Sequence, residues 1–119
     1  MFESNRRTFL QTTAAAILAS PAITLADNSG RSPIKVGQIG TRHAHAGGKM
    51  ETFRKFPDLF EVVGVVEKDP QQRKRMESSE VYRGLTWMSE EELLSIPDVL
   101  GIAVETEIED LLPVAEKCI

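Results

Sequence analysis

The chain holds one cysteine in 119 residues. Cys118 therefore has no intramolecular partner, and one thiol cannot build a cysteine-based metal centre. Its place beside the C-terminal residue suits a small side chain on a helix face. Basic residues are also in deficit: 14 Lys and Arg stand against 18 Asp and Glu, for a net charge of −4 at pH 7. With no basic stripe to neutralise phosphates, nucleic acid is excluded as a partner. The apolar run Thr12 to Ile23 falls short of the roughly 20 residues that a membrane-spanning helix needs. There is no internal repeat and no low-complexity tract.

What is present begins with a leader. Asn5-Arg6-Arg7-Thr8-Phe9-Leu10 places an arginine pair ahead of the apolar run, and Thr24-Leu25-Ala26 offers small residues before a cleavage point. A charged head, a short apolar stretch and an A-x-A-like end make an export signal. Adjacent arginines followed by Phe-Leu point to the twin-arginine route, which carries folded and cofactor-loaded proteins. An ordinary secretory signal and an N-terminal anchor are the alternatives. Residues 1–26 are thus expected to be a signal peptide, 27–33 a linker, and 34–119 the folded domain, exported to the periplasm. Removing Arg6, Arg7 and Glu3 takes the net charge from −4 to about −5.

Within the domain, short apolar segments alternate with helical patterns. Ile34 to Ile39 reads as a strand running into Gly40. Met50 and Phe53, with Phe56 or Pro57 a turn later, mark one face of a helix that Pro57-Asp58 ends. Phe60 to Glu67 is nearly continuous and β-branched, as in strands buried on both faces of a parallel sheet. Asp69-Pro70 starts a second helix with a charged, solvated face. A short strand is expected around Val81-Tyr82, in the segment that leads to Trp87. Ser89 and Glu92 have capping-box spacing, so a short helix follows, with Leu93 and Leu94 facing inward. Val99 to Val104 is a further buried strand. Ile108, Leu111, Leu112 and Ala115 form the stripe of a last helix. Alternation of this kind predicts an α/β fold, a Rossmann-like parallel sheet with helices on both faces.

A nucleotide site on such a sheet needs a tight glycine turn, a backbone open to a pyrophosphate and an acid for ribose hydroxyls. Gly40 supplies the turn. Glu67, at the tip of the second strand, supplies the acid and favours NAD over NADP, because it would repel a 2′-phosphate. Arg42 stands where glycine normally permits close approach, and His45 where a small residue normally lies. Two readings stay open. In one, Arg42 swings out to pair with a phosphate while nearby amides cradle the anion. In the other, the loop has drifted and cofactor binding is lost. His43 and His45 offer two nitrogens, but no third metal ligand stands nearby in sequence, so no metal site is assigned. Trp87 is read as packing, with the border of an adenine pocket as the alternative.

The run Ile34-Lys35-Val36-Gly37-Gln38-Ile39-Gly40-Thr41-Arg42-His43-Ala44-His45 resembles the start of Gfo/Idh/MocA oxidoreductases. So do Val62-Val63-Gly64-Val65-Val66-Glu67-Lys68-Asp69-Pro70, Glu91-Glu92-Leu93-Leu94 before Pro97-Asp98-Val99, and Val104-Glu105-Thr106. The resemblance implies NAD(P)-dependent hydride transfer on a sugar or polyol in a full-length parent. It implies that Gly40, Thr41, Arg42 and His43 hold the pyrophosphate and Glu67 the adenosine ribose. Glu105 and Thr106 would lie near the nicotinamide. The lysine-proline motif and the substrate domain of that family are absent from this sequence. The sheet is therefore expected to be incomplete at its C-terminal end, with no catalytic residue in this chain, weak nucleotide binding and no turnover. The alternative is a non-catalytic Rossmann-like remnant that binds a small anion, a partner or nothing; self-association is open.

Overall fold

A computed structural model of the chain describes residues 30–119. The proposed signal peptide and the first three residues of the linker, 27–29, lie outside the described residues. The fold is α/β, with a three-stranded, all-parallel sheet. Its strands are β1 (Ile34–Ile39), β2 (Phe60–Val66) and β3 (Val99–Val104), in the order β2-β1-β3. Helix α1 (Ala46–Lys55) joins β1 to β2. Helices α2 (Pro70–Glu77) and α3 (Glu90–Ser95) lie between β2 and β3, and α4 (Ile108–Lys117) follows β3.

The strands arise where apolar β-formers run together, and β1 takes the centre because it is the best covered. Val36, Ile39 and the polar Gln38 on it are all buried. Each face of the sheet carries its own apolar cluster. On one, Ile39, Val66, Leu93 and Val114 pack together, which seats α3 and α4. On the other, Met50 of α1 packs with Val65 and Tyr82. Two bulges interrupt the pairing: Val63 in β2 and Leu100 in β3 are each an extra residue with no partner on β1.

The helix ends follow local chemistry. Asp69 caps α2 by accepting from the Gln71 amide at 2.9 Å, with Pro70 at the first helical position. Ser89 caps α3 at the expected spacing: its side chain accepts from the Glu92 amide at 3.1 Å, and its hydroxyl donates to the Glu92 carboxylate at 3.2 Å. Helix α1 begins at Ala46 without a side-chain cap, and Gly47 and Gly48 fall inside its first turn.

Four expectations are corrected. Residues 80–84 form turns in place of a strand at Val81-Tyr82. The sheet is extended there only by an isolated parallel bridge from Val65 to Trp87. Phe56 caps the end of α1 and is exposed, so the helix face stops at Phe53. Leu93 is buried, but Leu94 is exposed: a six-residue helix turns only one leucine onto the sheet. On α4 the core contact is Val114, joined by Cys118 just past the helix end, with Leu111 half-buried, whereas Ile108 and Leu112 stand in solvent.

Tyr82 plugs the α1 face with its hydroxyl accepting from Gln38 Nε2 at 2.7 Å. Burial pushes its phenol above the ordinary value of 10.0, although the Gln38 hydrogen bond works the other way. The proton is held more tightly in the folded state, so this stabilisation is complete below pH 10 and is lost as pH rises through the folded value. Tyr82→Phe is expected to reduce the alkaline loss of stability. It should cost about 1 kcal/mol at neutral pH, because Gln38 Nε2 still donates to the Gly40 carbonyl at 3.0 Å. Urea unfolding at pH 7 and pH 11 measures both effects.

Candidate functional site

In the order β2-β1-β3, the chain leaves β1 toward one side and returns on the other. The direction reverses between β1 and β3, and ligands of open parallel sheets bind outside the carboxyl ends of the strands at such a point. A cleft of about 270 Å³ lies there. Its walls come from the loop after β1 (Gly40, Thr41, Arg42), the loop after β2 (Glu67, Lys68, Asp69) and the segment after β3 (Thr106, Glu107, Asp110). It lies near the lower limit of small-molecule sites, roughly 300–1,000 Å³.

Gly40 makes this convergence possible. Its φ is +88°, in the region that side chains rarely adopt, and a Cβ built there would lie 2.7 Å from the Thr106 nitrogen and 2.8 Å from the Glu105 carbonyl. The turn thus lets β1 end directly against the end of β3. The Gly40 amide donates to Val66 and the Glu105 amide to Ile39, at 2.8 and 2.7 Å, which ties all three strand ends together.

Glu67 faces the same turn. One of its oxygens accepts from the Thr41 amide at 3.0 Å and the Thr41 hydroxyl at 2.5 Å; the other accepts from the Asp69 amide at 3.2 Å. A carboxylate has about four acceptor positions, so Glu67 keeps one for a further donor on the second oxygen. The Thr106 hydroxyl oxygen, shielded from solvent, has no hydrogen-bond partner among the described residues.

Arg42 spans the cleft. Its guanidinium pairs with Asp69 on the β2 side and with Glu107, at 3.4 Å, on the β3 side. The Gln71 amide, with Arg42 beside it, holds the Asp69 carboxyl below the usual carboxylate range. Counting the lining, four carboxylates (Glu67, Asp69, Glu107, Asp110) face two cations (Arg42, Lys68). Without Arg42 the cleft would repel an anion; with it free, a phosphate would have a fork to bind.

Five of the seven residues expected to form the site converge here: Gly40, Thr41, Arg42, Glu67 and Thr106. His43 and Glu105 do not line the cleft. Glu105 is buried beneath the β1–α1 turn, paired with Lys49 and lying 3.3 Å from His43 Nδ1. His43 Nδ1 also lies 3.3 Å from the His45 amide that it accepts. Their position follows from Gly40, which brings the end of β3 under the turn and leaves the Glu105 side chain on the α1 side. Asp69, Glu107 and Asp110 were missed as site residues. Asp69 carried only a helix-start signal, and the other two lie past the next strand, so their apposition depends on the sheet order. Among the described residues, no group of three or more His, Cys, Asp or Glu side chains is placed to hold a metal ion. Trp87 lies outside this cleft, packing 5.8 Å from Tyr82 with the Arg73 guanidinium 5.9 Å over its ring. No family model, curated protein or solved structure matches the chain.

Proposed function

We propose that the domain is a nucleotide-binding module whose cleft takes a nicotinamide dinucleotide, NAD in preference to NADP. One observation carries the reading: a positive-φ glycine turn, an acid at the tip of the neighbouring strand and an unpartnered hydroxyl meet in one cleft at the sheet's switch point. The remaining acceptor position of Glu67 and the Thr106 hydroxyl suit ribose hydroxyls. Arg42 is the group for the pyrophosphate, and must leave Asp69 and Glu107 to reach it. Exposed ion pairs are worth only about 0–1 kcal/mol each, so the exchange is energetically open. Binding is weak, because three acids besides Glu67 surround or restrain that cation. The resemblance to Gfo/Idh/MocA oxidoreductases supports a parent enzyme acting on a sugar or polyol, exported by the leader that lies outside the described residues. The tie between Arg42 and its two carboxylates favours one second reading, a non-catalytic remnant with the cleft held shut.

Calorimetric titration with NAD separates the two. Arg42→Ala is expected to weaken binding about tenfold or more, and Glu107→Gln to tighten it about threefold by releasing Arg42, each a change of about 0.6–1.4 kcal/mol. Equal or tighter binding by Arg42→Ala would discard the phosphate role. No heat from the folded wild type at millimolar NAD would favour the remnant.

A further inference from the structure

Helix α2 is charged along most of its outer side, yet it buries one residue, and that residue is polar: Gln72. A buried amide is costly unless its groups find partners. Gln72 finds two. Its Oε1 accepts from the Arg75 guanidinium at 2.7 Å, and its Nε2 donates to Thr41 Oγ1 at 3.2 Å. Thr41, buried in turn, donates its hydroxyl proton to Glu67 Oε2 at 2.5 Å. The four side chains thus form one chain of hydrogen bonds that ends on the acid of the cleft.

Arg75 sets the direction of every bond in it. A guanidinium has N–H donors and no acceptor, so it can face only the oxygen of the Gln72 amide. The two ends of an amide have the same shape, and a donor-only neighbour decides between them. The NH2 group is left facing Thr41. A hydroxyl that accepts on that side has a single proton to give, and Glu67 receives it. The bonds run one way, from Arg75 to Gln72 to Thr41 to Glu67.

The acceptor count at Glu67 follows. Oε2 is filled, by the Thr41 amide at 3.0 Å and by the Thr41 hydroxyl. Oε1 holds the Asp69 amide at 3.2 Å and keeps one open position. An acid here with both oxygens open could take a vicinal pair of ribose hydroxyls; this one has room for a single hydroxyl. We infer that Gln72, oriented by Arg75, is a positioning residue for Glu67 and restricts it to one hydroxyl of the ligand. The ligand's identity rests on the dinucleotide reading of the cleft; the state of Glu67 rests on the hydrogen-bond chain alone. With the Gln72 amide turned round, its oxygen would take the Thr41 proton. Glu67 would then lose a donor, and each of its oxygens would have an open position.

Arg75 is exposed and does not line the cleft, so substituting it leaves the core and the binding residues in place. Arg75→Lys still only donates and should keep the chain as it is. Arg75→Glu only accepts, so it should draw the Gln72 NH2 group to itself and turn the amide round. In the ligand-free full chain, the carboxyl-carbon NMR resonance of Glu67 should hold its place in Arg75→Lys and move in Arg75→Glu. Gln72→Leu cuts the chain, and in that background Arg75→Glu should no longer move the resonance. Calorimetry then compares NAD with forms lacking the 2′- or the 3′-hydroxyl of the adenosine ribose. The wild type and Arg75→Lys should lose about fivefold in affinity with one deoxy form and under about twofold with the other. Arg75→Glu should lose about fivefold with each. Three results would each overturn the inference: an unmoved Glu67 resonance in Arg75→Glu, an equal movement with Gln72→Leu in place, or a wild type weakened alike by both deoxy forms. A wild type that binds no NAD would sink the dinucleotide reading by itself, and the Glu67 resonance would still decide the role of Gln72.

Discussion

Gly40→Ala is expected to lower stability by about 3 kcal/mol, one of the two largest single-site losses expected in the domain. Two costs add at this residue. A φ of +88° is unfavourable for any L side chain, by roughly 1–2 kcal/mol. The new methyl would also sit 2.7–2.8 Å from backbone atoms of Glu105 and Thr106. Those atoms belong to the end of β3 and cannot rotate away, so relief requires the strand ends to separate, at about 1–3 kcal/mol. For a domain of this size, 3 kcal/mol is roughly a 12–24 °C fall in Tm. Gly64→Ala is the control. Its methyl would approach even closer, 2.5 Å from Met88 Cε, but that atom is the free end of a flexible side chain. A loss near 1 kcal/mol is expected there. Thermal unfolding of the two variants side by side gives the contrast; equal losses would show that the Gly40 turn does not hold the strand ends together.

Leu93→Ala should cost about 3–4 kcal/mol. Leu93 is fully buried and packs with Ile39, Val66 and Val114. It is also the only buried residue of α3, so the cavity it leaves is joined by the loss of that helix's anchor. The site can be tested for coupling. A methyl on Gly37 would lie 2.7 Å from Leu93 Cδ1 and 2.9 Å from Cδ2. Gly37→Ala alone should therefore destabilise, while in the Leu93→Ala background the same methyl enters vacated space and should be neutral or stabilising. An interaction energy of about 1–2 kcal/mol is expected from urea unfolding of the four proteins. Simple additivity would mean that the two side chains do not share the space.

Much of the fold was legible because the signals were local. β1 and β3 run over the segments that their apolar composition marks, and Asp69 and Ser89 cap the helices that their spacing announces. The misreadings arise where tertiary partners decide. Val81-Tyr82 has strand-like composition, but the edge of β2 is met by Thr86 to Met88, so the tyrosine turns inward to Gln38. The α4 stripe was visible, but periodicity alone does not say which of two adjacent apolar faces meets the sheet; Val114 and Cys118 took the core. In the site, Gly40 and Glu67 were readable from their places at strand ends. Arg42 was marked as a departure, yet its engagement with Asp69 and Glu107 was not readable, because those acids reach it from loops that only the sheet order brings together.

The nucleotide is proposed to bind in this cleft. Titrating NAD into isotopically labelled protein while following backbone amide resonances measures it directly. Saturable shifts are expected at Gly40, Thr41, Arg42, Glu67, Thr106 and Glu107, with the Arg42 side-chain resonances moving as the guanidinium leaves Asp69. Shifts centred elsewhere, or none at millimolar NAD in a protein whose resonances show it folded, would contradict it.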